Sequence, residues 1–462
     1  MENFWDYSVW GGLNLFSVLL ISLLAANLIK KFFPVLKASL IPSSVLGGGI
    51  LIVIAALYKA CTGNIMFDTR FFGGNGTANL ELITYHCLAL GFIASSFKTS
   101  EGQMTKKRTV EIFNTGVTTV STYLLQAVLG FAISMAATLI VKDFFPAAGV
   151  LLPFGFGQGT GQALNYGGIY ENQFGFVGGK TFGLTIAALG FLSASFGGVF
   201  HLVMLRRKGK IAPHSEKAEV INPEDIQTAN EIPMQESVDK MTIQVALIAS
   251  AYMIAYFMMC GLGRLLPGMK SVIFGFNFLL GVLTATMIRS LLNFLNRKQL
   301  LRRAQVNDFL MTRASNFFFD LMVVAGVAAI RLSALEDFWG IILVMGVVGL
   351  VSTYLYNFFV AKTLFPEYQE EQFLTMFGML TGTASTGIIL LREIDGEFKT
   401  PVADNLVYQN FPAIVFGFPL MLLATLAPQK PTLTFFVLLG FFLVMNVILF
   451  RRFIFPRRRR RK

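Results

Sequence analysis

The chain has 462 residues, of which 54% are hydrophobic and only 14% are charged, and its formal net charge is +12. Soluble proteins contain roughly 25% charged residues, so this chain lacks the charges for a water-exposed surface. The composition predicts an all-α polytopic membrane protein and disfavours a soluble enzyme, a nucleic-acid binder and a secreted disulfide scaffold. The three cysteines show no metal-ligand spacing, so we expect no transition-metal site.

Eleven apolar segments of the chain are long enough to cross a membrane, whose hydrocarbon core of about 30 Å needs about 20 helical residues. The predicted spans are 11–33, 41–59, 82–98, 112–141, 180–205, 241–262, 271–292, 309–330, 338–361, 405–427 and 432–453. After the fifth span, the polar segment 206–240 carries mixed charge and three prolines, which is typical of a flexible linker. Two further apolar segments, 147–170 and 371–392, are too rich in Gly, Ser and Thr for simple spans. We predict that both are re-entrant, entering and leaving the membrane on one side.

The positions of Lys and Arg predict the orientation of the chain, because cytoplasmic loops are enriched in these residues. With the N-terminus outside and both re-entrant segments in place, 30 of the 38 basic residues fall on the inner side. Residues 1–205 and 241–427 then form inverted repeats, each with five spans and one re-entrant segment. The linker 206–240 is cytoplasmic, and residues 428–462 add a transmembrane helix and a basic cytoplasmic tail.

The two re-entrant segments share a short motif. Phe154 to Thr160 and Phe377 to Thr383 both read F-G-x-x-x-G-T, and each follows the fourth span of its half. Inside a membrane, non-helical backbone is tolerated only where it is buried in protein or lines a cavity, and transporters build binding sites from such broken helices. The alternative is that Gly and Thr serve close helix packing. The predicted substrate-binding residues are Gly157, Gln158, Gly159, Thr160, Gln162, Asn165, Thr381, Gly382, Thr383, Ser385, Thr386 and Arg392.

Three residues are candidates for binding a coupling cation. Free carbonyl oxygens near Gly155 and Gly378 would attract Na⁺ at the ends of broken helices. Asp320 lies within the span 309–330, and a carboxylate in a membrane by default marks a functional site, as an ion ligand or a proton carrier. The alternative is that Asp320 reaches the membrane interface or pairs with Arg313. Arg392 has a similar alternative as a cytoplasmic anchor.

Several motifs together resemble the bacterial sodium/glutamate symporter family. They are Ile41 to Gly49 (IPSSVLGGG), Gly157 to Thr160 (GQGT), Thr181 to Leu184 (TFGL), and Gly378 to Gly387 (GMLTGTASTG) with the downstream Phe411-Pro412. The resemblance covers roughly residues 10–427. It implies an inverted-repeat transporter in the bacterial inner membrane that couples Na⁺ entry to glutamate uptake, and a homodimer.

The expected function is therefore Na⁺-coupled symport of glutamate or a related small carboxylate or amino acid. The expected partners are a small anionic substrate, Na⁺ and the lipid bilayer, without nucleic acid. Na⁺ is the coupling ion and no cofactor is expected. No P-loop, nucleophile elbow or HExxH motif appears, so we do not expect an enzyme. The alternatives are an H⁺-coupled or differently specific carboxylate transporter of the same fold, and an anion channel.

Overall fold

The structure, a computed structural model, describes residues 3–97, 105–210, 231–234, 238–267, 270–275, 277–301, 303–335, 338–395 and 399–454. It is 83% helical, and no β-strand occurs in these ranges. Most of the predicted linker 206–240 lies outside the described residues. The all-helical architecture agrees with the prediction from composition.

The main helices follow the predicted spans closely. They are α1 (Tyr7–Phe32), α2 (Ser43–Thr62), α3 (Gly76–Ser96), α4 (Lys106–Ala137), α5 (Leu151–Phe156), α6 (Thr160–Phe174), α7 (Gly179–Arg207), α8 (Lys240–Leu265), α9 (Asn277–Arg297), α10 (Asp308–Ala328), α11 (Trp339–Leu364), α12 (Gln369–Thr381), α13 (Ala384–Arg392), α14 (Val402–Tyr408), α15 (Asn410–Leu426) and α16 (Pro431–Leu449). Within the described ranges, ten helices are long and apolar enough to cross a membrane. These ten correspond to ten of the predicted spans, as expected for a multi-pass membrane protein.

The remaining predicted span, 405–427, is divided in the structure. α14 ends at Tyr408 and α15 begins at Asn410. Pro412 lacks an N–H group and cannot donate to the carbonyl of Tyr408 one turn earlier, so the helix is interrupted there. α15 itself has 17 residues and contains Pro419. The single continuous span predicted for this segment was therefore wrong in its middle, although the segment is helical on both sides.

The chain forms two compact units, and each combines stretches from both halves of the sequence. The first unit comprises Met1–Leu20, Asn64–Gln103 and Ser215–Gly326. The second unit comprises Ile21–Gly63, Met104–His214 and Val327–Lys462. The predicted repeats and the compact units are thus different divisions of the same chain. The inverted orientation of the repeats stays a prediction.

The first unit has an apolar core between α3, α8, α9 and α10. Its fully buried side chains include Ile93, Phe97, Ile248, Ala285 and Met311. Small polar side chains tie the same helices together, because the Ser315 hydroxyl of α10 donates to the Gly91 carbonyl of α3 at 2.9 Å. This unit is therefore held by apolar packing with local hydroxyl-to-carbonyl bonds.

The second unit contains the same sequence of elements twice. A long helix, a short 3₁₀ turn, two short helices separated by a break and a further helix occur as α4 to α7. The same order recurs as α11 to α15, where the further helix is divided into α14 and α15. Both 3₁₀ turns begin with proline, at Pro146–Val150 and at Pro366–Tyr368. Proline is favourable at the first position of a helix because its missing N–H would have no partner there. Both segments predicted to be re-entrant, 147–170 and 371–392, are the broken helices of this unit.

Candidate functional site

The first break in the second unit consists of Gly157, Gln158 and Gly159, between α5 and α6. The Gly159 backbone has φ +79° and ψ −170°, which is a region that residues with a Cβ rarely adopt. The Gly157 N–H donates to the Pro153 carbonyl at 2.9 Å, and the Gly159 N–H donates to the Gly155 carbonyl at 3.2 Å. These bonds end α5 and lead the chain into α6. The φ of Gly159 makes glycine a conformational requirement at this position of the motif.

The two arms on either side of the first break are in contact. The ring of Phe154 in α5 stacks on the ring of Tyr166 in α6, with centroids 3.9 Å apart. The hydroxyl of Tyr166 donates to the Met421 carbonyl at 2.9 Å, and that of Tyr170 donates to the Ala424 carbonyl at 2.7 Å. The two arms therefore pack against each other, and two hydrogen bonds connect α6 to α15.

The second break consists of Gly382 and Thr383, between α12 and α13. The Thr381 hydroxyl donates to the Phe377 carbonyl at 2.6 Å at the end of α12. Thr383 caps α13, because its side-chain oxygen accepts from the Thr386 N–H at 3.4 Å. A Cβ built on Gly378 would lie only 2.9 Å from the Gly387 Cα. The two arms therefore touch backbone to backbone.

The two breaks approach each other beside Gly190 of α7. A Cβ built on Gly190 would lie 2.5 Å from the Thr381 carbonyl oxygen and 3.1 Å from the Phe156 Cα. Thr381 is the last residue of α12 and Phe156 is the last residue of α5. A glycine is therefore required on α7, since any side chain there would push against the ends of both broken helices.

Tyr123 of α4 also connects the two breaks. Its hydroxyl donates to the Gly157 carbonyl at 3.1 Å. Its ring packs against the buried cluster of Met376, Met379 and Leu380 from α12 and Leu406 from α14. One residue thus contacts the first break through its hydroxyl and the helix before the second break through its ring.

One face of α4, on the side that contacts the two breaks, is polar and buried. Thr115, Thr118, Thr119, Thr122 and Gln126 recur at helical spacing and are all buried. The Thr119 hydroxyl donates to the Gln409 amide oxygen at 2.7 Å, at the interruption between α14 and α15. The Gln126 amide nitrogen donates to the Thr353 hydroxyl of α11 and to the Leu380 carbonyl, both at 2.9 Å. The interior between the broken helices is therefore polar and uncharged along α4.

The predicted substrate-binding residues mostly lie at or beside the breaks. The residues within a turn of a break are Gly157, Gln158, Gly159, Thr160, Gln162, Thr381, Gly382, Thr383 and Thr386. Asn165 follows one turn further and donates to the Gln162 amide oxygen at 3.4 Å. Gln162 is 1% exposed, and its amide nitrogen has no hydrogen-bond acceptor among the described residues. The side chain of Ser385 lies outside the described part of the structure.

The other predicted residues lie away from the breaks. Arg392 is the exposed last residue of α13, roughly 12 Å along the helix from the second break. Gly155 and Gly378 lie inside helices, where a Cβ would lie 2.6 Å from Ile186 and 2.9 Å from Gly387. Asp320 belongs to the first unit and is exposed on α10. The contacts of the two glycines favour packing, and the ion-binding roles of all three candidates stay predictions.

Sequence reasoning missed several residues that the structure places at the breaks. Gly190, Tyr123, Thr353 and Gln409 all contact a break or a helix that ends at one. The spacing of the threonines on α4 was a usable signal, because a polar face buried in an apolar helix needs partners. The contact at Gly190 had no local signal.

The arrangement can bind small ions of both signs. α6 and α13 begin at the breaks, and the N–H groups of a helix's first turn attract anions. α5 and α12 end there, and the last carbonyl groups of a helix attract cations. Gln158 and Thr383 are half-buried and Ala384 is exposed, so neither break is fully enclosed. No protein-family profile matches the sequence, and no curated protein matches it significantly.

Proposed function

We propose that this protein is a secondary active transporter that couples Na⁺ entry to the uptake of glutamate or a related small carboxylate or amino acid. The observation that carries the proposal is the approach of two broken helices beside Gly190 within one unit. Paired breaks with opposite helix ends are how many secondary transporters build a site near the middle of the membrane.

The proposed chemistry follows from the helix ends. A substrate carboxylate would accept hydrogen bonds from the first turns of α6 and α13, at Thr160 and Thr383. Na⁺ would be held by carbonyl oxygens where α5 and α12 end. A cation and an anion bound this close together stabilise each other, so the occupancy of one site favours the other. That reciprocity is what symport requires.

The remaining parts of the proposal concern the setting of the protein. We place it in the bacterial inner membrane with the N-terminus outside and the C-terminus in the cytoplasm, as the excess of basic residues on one side supports. The resemblance to the sodium/glutamate symporters supports a homodimer. The proposal is for a transporter without enzymatic activity and without a cofactor other than the coupling ion.

Uptake of radiolabelled glutamate into proteoliposomes tests the proposal. We expect concentrative uptake when a Na⁺ gradient is imposed, and no accumulation with choline in place of Na⁺. A panel of small carboxylates and amino acids as competitors identifies the substrate. Uptake that only equilibrates passively, with or without Na⁺, would exclude the symporter and favour the anion channel.

Two variants tie transport to the breaks. Gly159→Leu and Gly382→Leu should each abolish uptake while the protein still inserts. Gly159 has a φ of +79°, which a branched residue rarely adopts, and a Cβ on Gly382 would lie 3.0 Å from the Thr386 hydroxyl and 3.2 Å from the Phe191 ring. Gly440→Leu in α16 is the matched control, since a Cβ added at Gly440 would have nothing within 4 Å. Full uptake by Gly159→Leu or Gly382→Leu would show that this break does not take part in transport, and would favour the alternative that its glycine serves helix packing only.

One buried hydrogen-bond network favours H⁺ coupling as the second candidate. His201 of α7 is fully buried, and its ring nitrogens contact the Tyr354 hydroxyl at 2.7 Å and the Glu370 carboxylate at 2.9 Å. Glu370 also accepts from the Lys210 ammonium at 3.0 Å. This network joins α7, α11 and the start of α12. Uptake driven by a pH gradient without Na⁺, and lost in His201→Gln, would establish H⁺ coupling instead of Na⁺ coupling.

A further inference from the structure

Two buried amide side chains connect α4, α11 and α12 in the second unit. Gln126 is 0% exposed and Asn357 is 1% exposed. The Gln126 amide nitrogen donates to the Thr353 hydroxyl and the Leu380 carbonyl, both at 2.9 Å. The Asn357 amide nitrogen donates to the Thr353 carbonyl at 2.9 Å and to the Thr122 hydroxyl at 3.4 Å. Since a main-chain carbonyl can only accept, these contacts fix which end of each amide is nitrogen.

Within the described ranges, the amide nitrogens make all of the hydrogen bonds in this arrangement, and the amide oxygens accept none. Neither Gln126 Oε1 nor Asn357 Oδ1 has a hydrogen-bond donor among the described residues. A buried acceptor without a partner costs about 1–3 kcal/mol, and a bound ligand that both oxygens contact would recover this cost. The two amides lie in adjacent layers between α4 and α11. Asn357 contacts Thr122, which is one helical turn from Gln126 on α4, and Gln126 contacts Thr353, which is one turn from Asn357 on α11.

The position of these oxygens favours a cation. The Gln126 amide nitrogen donates to the Leu380 carbonyl, which is one of the last four carbonyl groups of α12. The C-terminal end of a helix carries the negative end of its dipole. Amide oxygens and hydroxyls are hard neutral ligands. Ca²⁺ and Mg²⁺ are usually bound by carboxylates, whereas these two amides contact hydroxyls and main-chain carbonyls. The chemistry therefore suits a monovalent metal ion.

We infer that Gln126 Oε1 and Asn357 Oδ1 are ligands of the coupling Na⁺, bound beside the end of α12. This inference rests on the proposed symport function and assigns its ion to residues other than Asp320, Gly155 and Gly378. Because Gln126 also holds the Leu380 carbonyl, ion binding orders the chain that leads into the second break. The ion then favours substrate binding at Thr383 through the same stretch of backbone.

Thermal unfolding of the purified full-length protein tests the inference without transport. The unfolding midpoint is measured against NaCl, with choline chloride keeping the ionic strength constant and with KCl as a second series. The wild-type midpoint should rise with Na⁺, because a ligand that binds only the folded state stabilises it. In Gln126→Leu and Asn357→Leu, the Na⁺ concentration for half of this effect should increase at least tenfold.

Asn446→Leu is the matched control for the loss of an amide between helices. The Asn446 oxygen already accepts from the Tyr356 hydroxyl at 2.8 Å, and its nitrogen donates to the Phe442 carbonyl at 2.8 Å. This variant should lose stability without any change in its Na⁺ titration. Asn357→Asp covers the case in which the leucine variants do not fold. It keeps an oxygen in place and adds a buried charge, so Na⁺ should stabilise it more strongly than the wild type.

The outcomes distinguish failure of the ion site from failure of the proposed function. A wild-type response to Na⁺ that persists unchanged in the Gln126 and Asn357 variants overturns the site and leaves Na⁺ coupling standing. A wild-type midpoint that does not respond to Na⁺ overturns Na⁺ coupling and the site together. Equal stabilisation by Na⁺ and K⁺, with choline as the reference, would overturn the assignment of the two oxygens to the coupling Na⁺.

Discussion

A methyl group added at Gly190 should disturb both breaks at once. In Gly190→Ala, the new Cβ would lie 2.5 Å from the Thr381 carbonyl oxygen and 3.1 Å from the Phe156 Cα. Both are main-chain atoms, so neither can rotate away as a flexible side chain would. Overpacking of this kind typically costs about 1–3 kcal/mol. Against it stands the gain of about 0.5–1 kcal/mol when alanine replaces glycine inside a helix.

Gly440→Ala isolates the overpacking cost, because it gains the same helix propensity with nothing within 4 Å of the new Cβ. The difference in unfolding free energy between the two variants, measured in the same detergent, should be about 1–3 kcal/mol. Na⁺-driven uptake should fall at least tenfold in Gly190→Ala and stay normal in Gly440→Ala. Equal stability and equal uptake of the two variants would refute the contact of α7 with the ends of α5 and α12.

Two further substitutions each test the hydrogen bonds of one side chain. Tyr123→Phe keeps the ring but removes the hydroxyl that donates to the Gly157 carbonyl at 3.1 Å, so we expect a loss of about 1 kcal/mol in unfolding experiments; a variant as stable as the wild type would argue against this bond. Burial would raise the pKa of Asp395, but hydrogen bonds from Thr400 and Lys399 outweigh it and hold this pKa below its usual value of 3.8. The wild type should therefore be more stable than Asp395→Asn at pH 7, and this advantage should shrink as the pH falls through the lowered pKa; an advantage that does not depend on pH would contradict this origin.

Hydropathy was sufficient to locate the long helices, for a physical reason. In lipid, a continuous apolar stretch must satisfy its backbone hydrogen bonds internally, which leaves the helix as its solution. The broken helices were also predictable, because the repeated motif places glycine where α5 and α12 end. The division of the segment 405–427 could have been anticipated from Pro412, whose effect on the helix was underestimated.

The assembly of the site could not be predicted in the same way. Gln126 and the carbonyl it contacts at Leu380 are 254 residues apart, and no local pattern links them. Asp320 illustrates the converse problem. Its position within a predicted span was the signal for a function, and the structure adds that its side chain is exposed on α10; its role stays a prediction. Hydropathy predicts which segments form membrane-spanning helices. It does not predict which face of a helix is buried, because that depends on packing with neighbours that are distant in sequence.

The backbone contact between Gly378 and Gly387 has a mechanical consequence. Because glycine backbones meet there, the arms formed by α12 and α13 cannot move closer, and separating them would break the contacts of Gly378 with the Gly387 backbone and the Leu390 side chain. In the proposed transport cycle, we therefore expect α12 and α13 to move together as one rigid element.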